Sequence, residues 1–398
     1  MAPAGTRTGR LATAGLVTAF AVYAALAAAS ALDRASEARP GLASRVPALL
    51  ASEALRAGGR TALAAGDGRT ALRLGEAAVA DAPLDPASTA LLGAARYATA
   101  DRTGADRAFR IAAQLGWRVP HTQLYMMGRA LEVGDLRVAA LRLDALVRQN
   151  RALLRERALL DPLERDPRGR VALAERLRES PAWLTAYAME VDDLPADVIG
   201  QRAAVLGETA RLGLAIGCQP IAPTVSALIR SNAVPTAAAL WRAHCPGAAG
   251  SLIYDGNFAN ARIDQSRSEF AWSFIGQSEA SVVFEPVSGG VGQALVIDSA
   301  PGRPRLVLRQ LVLVPPGRYR LSWQATSTQG QPSALVVASF TCNPDPREWI
   351  EGQAAAGSAR RTVEVTVDGA CPARWLGLAI KGGSTAVRLA DVRLEPIR

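Results

Sequence analysis

The chain has 398 residues, 49% hydrophobic and 20% charged, which is too apolar for disorder and long enough for more than one buried core. Its formal charge is +9, yet residues 251–398 hold 15 basic against 13 acidic residues and no run of five Lys or Arg occurs. The excess is therefore spread over solvated faces, which argues against a nucleic-acid partner. With only two histidines, His121 and His244, most metal sites and most histidine-based catalysis are excluded.

Residues 1–10 form a short basic stub carrying Arg7 and Arg10. Leu11–Leu32 follows without a charge and as a helix spans about 33 Å, enough to cross a hydrocarbon core of roughly 30 Å. Basic residues ahead of such a span predict a cytoplasmic N-terminus, a single pass of a bacterial inner membrane and a periplasmic body. Ala29-Ser30-Ala31 also fits a small-residue cleavage pattern, so a signal peptide cut to leave a secreted or periplasmic body is the alternative. Residues 33–50 read as a linker.

From 51 to 154 the chain is dominated by helix formers with short Gly or Pro breaks and a period near 34 residues. Gly59, Gly93 and Gly128 recur on one helix of each unit, and Ala71, Ala105 and Ala140 recur twelve residues later on the next. Small residues at those places let two helix backbones approach, while Leu92 and Phe109 fill the gap between them. In the second unit Leu92, Gly93, Ala105, Phe109 and Ala112 occupy the main positions of a helix-turn-helix repeat, and the segment resembles three tetratricopeptide repeats. The resemblance implies an α-solenoid whose groove holds a protein partner. An Ala-rich helical bundle is the other reading.

Residues 155–245 stay helical without a repeat, punctuated by Pro162, Pro167, Pro181 and Pro195, with helices expected over Arg170–Arg178 and Ala196–Ile216. They read as a helical extension capping the solenoid. Cys218 and Cys245 lie here, and Cys342 and Cys371 lie further on, an even number in each half. In an oxidising compartment the simplest pairing keeps each bridge within its own domain; two pairs of buried thiols are the alternative.

The texture changes at the turn-rich linker 246–251. Beyond it, over 252–398, strands are expected at Ser281–Val287, Ala294–Asp298, Arg305–Leu313, Gly317–Ala325, Ala334–Thr341, Thr362–Val367, Trp375–Ile380 and Ala386–Leu394, with no helical period between them. The fold class is therefore a membrane helix, an α-solenoid, then an antiparallel β-sandwich. Gly256-Asn257-Phe258 at its opening, the stretch with Gln310, Pro316, Gly317, Tyr319 and Trp323, and the closing Asp391-Val392-x-Leu394 resemble galactose-binding-like jelly-roll carbohydrate-binding modules. That resemblance implies polysaccharide binding and a structural calcium at the opening turn, where Ala259 stands in place of the family's Glu. The tandem of repeats and sandwich behind a membrane segment is similar to proteins of bacterial exopolysaccharide machinery.

Sugar sites present aromatic faces flanked by amides and carboxylates. Trp349, in a polar segment with Asp345 and Glu348, is the candidate exposed platform, and Trp272, on one strand face with Phe270 and Phe274, is either platform or core. Trp323 alternates with Tyr319 and Leu321 onto a core face, and Trp375 is expected beside the Cys371 bridge. No catalytic constellation is found: no GxSxG accompanies either histidine, and Gly289-Gly290-Val291-Gly292 leads into no helix. Glu269, Glu279 and Glu285 are the nearest material for a carboxylate pair. No catalytic residue, metal or other cofactor is assigned. The expectation is a non-catalytic envelope adaptor; a glycan-active enzyme and a purely structural assembly factor are the alternatives.

Overall fold

The computed structural model describes residues 5–262, 268–275, 280–287, 292–299, 302–382 and 386–397, and it divides at Leu159/Leu160 into two compact units.

The first unit opens with α1, Gly5–Ala38, of which Ala14–Ala38 is long and apolar enough to cross a membrane, with Leu16, Val17, Phe20 and Tyr23 exposed along it. The helix runs past Leu32, so the expected linker begins only at Arg39. Asp33, 8% exposed, accepts the backbone N–H of Ala54 at 2.9 Å and of Glu53 at 3.2 Å. It thereby caps α2, Ser52–Ala64, whose own N-cap Ala51 has no side chain able to do so.

Three helix pairs follow: α2 with α3 (Gly68–Asp81), α4 (Pro86–Ala98) with α5 (Arg102–Leu115), and α6 (Pro120–Glu132) with α7 (Leu136–Gln149). The turns within the pairs share one construction. Gly66, Ala100 and Gly134 take positive φ, and the next residues, Asp67, Asp101 and Asp135, accept the N–H groups of Thr70, Gly104 and Val138. Ala71, Ala105 and Ala140 are fully buried, as close approach requires. A Cβ on Gly59 would meet Leu91 at 2.6 Å, and one on Gly93 would meet the Phe109 ring at 3.0 Å. Gly128 differs from the expectation: nothing lies within 4 Å of the position its Cβ would take, so it is no packing residue.

The second unit begins within α8, Arg157–Glu164, and continues through α9 (Pro167–Leu177), α10 (Leu184–Met189), α11 (Ala196–Arg211), α12 (Cys218–Arg230) and α13 (Val234–His244). Buried Glu164 receives the Tyr187 hydroxyl at 2.7 Å and lies 3.5 Å from Arg202. Cys218 bonds to Cys245, joining the start of α12 to the end of α13. These helices fall in the same compact unit as the sandwich, whereas the sequence reading joined 155–245 to the repeats. The reason lies in contacts the sequence does not display: Ser226 on α12 donates to Glu269, and Trp241 on α13 packs on Tyr254 and Phe270.

Nine strands complete the unit: β1 (Ser273–Phe274), β2 (Ala280–Pro286), β3 (Gln293–Ser299), β4 (Arg305–Val312), β5 (Gly317–Ser327), β6 (Val336–Thr341), β7 (Arg360–Val367), β8 (Arg374–Ile380) and β9 (Val387–Pro396). They form two sheets, β1-β4-β8-β6 and β2-β3-β9-β5-β7, with every described pairing antiparallel. Alternate residues of both sheets, such as Leu308, Ala338 and Leu376 on one and Leu321, Trp323 and Leu389 on the other, meet in one core. Cys342, just after β6, bonds to Cys371, just before β8. The helical half followed by an antiparallel sandwich matches the expected fold class, and both bridges pair as expected.

Candidate binding sites

In the first unit, α4, α5 and α6 enclose an open groove of about 1000 Å³. Phe109 and Tyr125 stack at 4.2 Å, and Tyr97 meets Tyr125 edge-on at 6.3 Å. Tyr97 and Leu124 are each 49% exposed, so much apolar surface in the groove lacks cover. Arg102 lies over the Tyr97 ring, and the Tyr125 hydroxyl donates to Asp106 at 3.2 Å. Burial is the first cause, and Asp106 the second, that pushes the Tyr125 hydroxyl above its ordinary pKa. Gly128 and His121 line the same groove, which explains why Gly128 faces open space.

The aromatic residues proposed from sequence for the sandwich are distributed differently. Trp272 is 3% exposed, donates its indole N–H to the Asp255 carbonyl at 3.0 Å and packs on Phe258, so it is core and not an open platform. Trp349 is half-buried. Asp345 is engaged by Arg309, which also donates to the Pro344 carbonyl and covers the Trp375 ring; Glu348 stands exposed. The structure therefore draws Asp345 toward Trp375 through Arg309, while Trp349 stays half-buried beside exposed Glu348. Trp323 is fully buried, and the Tyr319 hydroxyl closes a corner by donating to the Pro315 carbonyl at 2.8 Å. Glu269 accepts from Ser226, and Glu285 pairs with Arg388; Glu279 and Gly289–Val291 lie outside the described residues.

The opening segment shows what the motif residues do. Gln310, buried, accepts the Tyr254 N–H at 3.0 Å and donates to its carbonyl at 2.9 Å. The Gly256 carbonyl accepts the Val392 N–H, and a Cβ at Gly256 would strike the Val392 oxygen, so only glycine fits. Asp255, Phe258 and Asp391 all take positive φ, a strained conformation for side-chain-bearing residues. Asp391 is gripped by Arg360 and Arg393. Burial raises the Asp391 carboxyl, but those two partners more than offset it and hold it below the ordinary carboxylate range. Asp255 goes the other way: burial raises its carboxyl, although the N–H groups of Asn260, Ala259 and Ala261 favour the charge. Among the described residues no group of three His, Cys, Asp or Glu gathers as a metal site.

Two cavities meet at this segment. One, of about 550 Å³, runs between residues 246–260 and the end of β9, with Asp255, Asn257, Asp391 and Glu395 on its walls. The other, of about 320 Å³, lies between α12, α13 and the opening turn. Its floor holds Trp241 and Trp272, and its rim holds Gln219, Tyr254, Asp255 and Asn260. Sequence reading missed this pocket because its residues come from three separated segments. His244, the one histidine buried in this unit, is spoken for: Nδ1 accepts the Ile216 N–H at 3.3 Å and Nε2 lies 2.9 Å from the Leu206 carbonyl, which makes Nε2 the protonated nitrogen.

No family model matches the chain, and no curated protein matches it. Among solved structures the chain is similar over its β region to a family 4 carbohydrate-binding module. That likeness has 20% identity and a TM-score of 0.27, covering 36% of this chain and 99% of that one. It is also similar to a family 61 module solved with β-1,4-galactotriose (12% identity, TM-score 0.27, 37% of this chain and 99% of that one). A third is the xylan-binding family 22 module of a Paenibacillus barcinonensis protein (14% identity, TM-score 0.25, 36% and 92%).

Proposed function

We propose that this chain is a non-catalytic adaptor of the cell envelope. It is anchored by Ala14–Ala38, holds a segment of a partner protein in the repeat groove and contacts glycan through the sandwich unit. The observation that carries the reading is the groove itself, an exposed aromatic trough in a unit whose remaining small-residue contacts are tightly closed. Stacked rings give a partner apolar area at low entropic cost, and paired charges at the margin give register. The three helix pairs support a tetratricopeptide-type solenoid. The basic stub ahead of the helix and the two disulfides support a cytoplasmic N-terminus and an exported, oxidised body, retained on the membrane or released by cleavage near Ala31. A setting in polysaccharide assembly or export rests on the resemblance of the domain order alone.

Site-specific photo-crosslinking from Leu124 in intact membranes tests the groove. One discrete adduct, lost when Tyr97→Glu is added, supports it; diffuse labelling unaffected by Tyr97→Glu refutes it. For the sandwich, an immobilised glycan panel probed with the full chain is decisive, and a flat panel removes the sugar-binding part.

One observation favours a second reading, a glycan-cleaving enzyme. Asp255, raised by burial, and Asp391, held charged by two arginines, line one cavity as an acid and a carboxylate. Release of reducing ends from bound glycan that disappears in Asp255→Asn supports the enzyme; binding without release sets it aside.

A further inference from the structure

We infer that the 320 Å³ pocket between α12, α13 and the opening turn is the sugar-binding site, taking one neutral pyranose ring or a short end of a chain, rather than the sheet surface. This rests on the reading that the second unit contacts glycan. The volume is at the small end of the ~300–1,000 Å³ range of ligand pockets, so it admits a ring and not an extended polymer.

The chemistry of the lining selects the ligand class. The buried indoles of Trp241 and Trp272 form the base, and the Tyr254 ring, edge-on to Trp241 at 5.4 Å, is the half-buried aromatic ring that the pocket leaves partly open. The C–H face of a pyranose is apolar and packs on such rings, while its edge is a ring of hydroxyls. Each hydroxyl donates and accepts at once, and Gln219 and Asn260 at the rim are amides with the same double capacity. Both side chains are exposed. Asp255 adds a carboxyl acceptor whose oxygens already take the Asn260 N–H, so it is positioned before any ligand arrives. Arg262 at the rim is offset by Asp255, which leaves a balanced pocket suited to a neutral ligand over an anion. Trp241, 4% exposed, lines this pocket and carries a buried indole N–H with no acceptor among the described residues.

Among the described residues the sandwich is charged where its five-stranded sheet is exposed. Its five-stranded sheet displays the ion pairs Arg318–Glu364 and Glu285–Arg388. Among the described residues no aromatic ring of the sandwich is among the exposed large hydrophobic side chains. The pocket is also rigid on the helical side, because the Cys218–Cys245 bridge ties the helices that border it and Cys218 Sγ sits 3.4 Å from the Tyr254 hydroxyl.

The test uses the full chain in a detergent without a sugar headgroup, titrated by calorimetry with soluble methyl pyranosides and disaccharides. Gln219→Trp fills the rim from an exposed position, and Asn260→Ala removes one amide. The expected result is binding of at least one short neutral sugar by the wild type, loss of that binding in Gln219→Trp and a weakening of about tenfold in Asn260→Ala, with unchanged melting. If both variants bind like wild type, the sugar sits elsewhere on the unit and this inference fails while the glycan reading stands. Binding to immobilised long glycans without binding to any short sugar also overturns it alone. Silence on both panels overturns the pocket and the glycan reading together.

Discussion

Gly93 on α4 and Gly128 on α6 look alike in sequence, 35 residues apart in a repeat of 34, yet they meet opposite surroundings. The Phe109 ring lies against Gly93, while Gly128 borders the open groove. Gly93→Val therefore destabilises by about 1–3 kcal/mol through overpacking. Gly128→Ala is expected to stabilise α6 by about 0.5–1 kcal/mol, since it removes only the glycine entropy penalty. Hydrogen exchange over residues 86–132 reads both, and equal effects at the two glycines would refute the packing account. His244 supplies a pH test. Burial lowers its pKa below the ordinary ~6.5 despite the Leu206 carbonyl, so the unfolded chain takes up a proton there before the folded chain does. Stability contributed by neutral His244 is thus full above ~6.5 and is lost as pH falls below that value toward the folded pKa. Exchange protection across α11–α13, corrected for the intrinsic rate, should drop as pH falls below about 6.5, and a flat profile there would exclude His244 as the cause.

At the scale of elements, the aspartate-capped turns explain why the repeat is regular where the packing glycines are not. Asp67, Asp101 and Asp135 recur at intervals of 34 residues, each after a residue with positive φ, and this sharper period is readable in the sequence. It carries the register because a cap needs only local geometry, whereas a packing glycine needs a neighbour from the next helix. Asp33 is the tertiary counterpart, capping α2 from the end of α1. Asp33→Ala is expected to cost about 1 kcal/mol and to raise exchange specifically in the first turn of α2. An unchanged first turn would remove Asp33 from that role. Replacing Cys342 and Cys371 by Ser, which opens a separation of 29 residues, should destabilise the sandwich by about 3 kcal/mol. Urea unfolding followed through the buried Trp323 measures it, and a midpoint unaffected by the replacement would contradict a stabilising bridge.

For the whole molecule, the division at Leu159/Leu160 assigns α9–α13 to the same unit as the sandwich, so a cut at the turn-rich stretch 246–251 should damage both sides. Residues 252–398 expressed alone are expected to lose exchange protection around Phe270, because Trp241 is absent. A fully protected isolated sandwich would show that stretch to be a true boundary. Membrane topology is tested by reporters: a periplasm-active enzyme fused after the sandwich should be active and a cytoplasm-dependent one silent. The reverse pattern with reduced cysteines would overturn the exported placement.

Hydrophobic run length, strand alternation and cysteine parity are local or arithmetic properties, and they were enough to determine the apolar helix, each of the eight expected strands and the partners of both bridges. Burial of Trp323 was legible the same way, since Tyr319, Leu321 and Trp323 share a strand face. The fates of Trp272, Trp349 and Gly128, the affiliation of α9–α13 and the pocket beside Trp241 were decided by the tertiary structure alone. Alternation shows which residues share a face; what covers that face depends on chain segments far away, as Gln219, Trp241 and Asp255 show by meeting around one cavity.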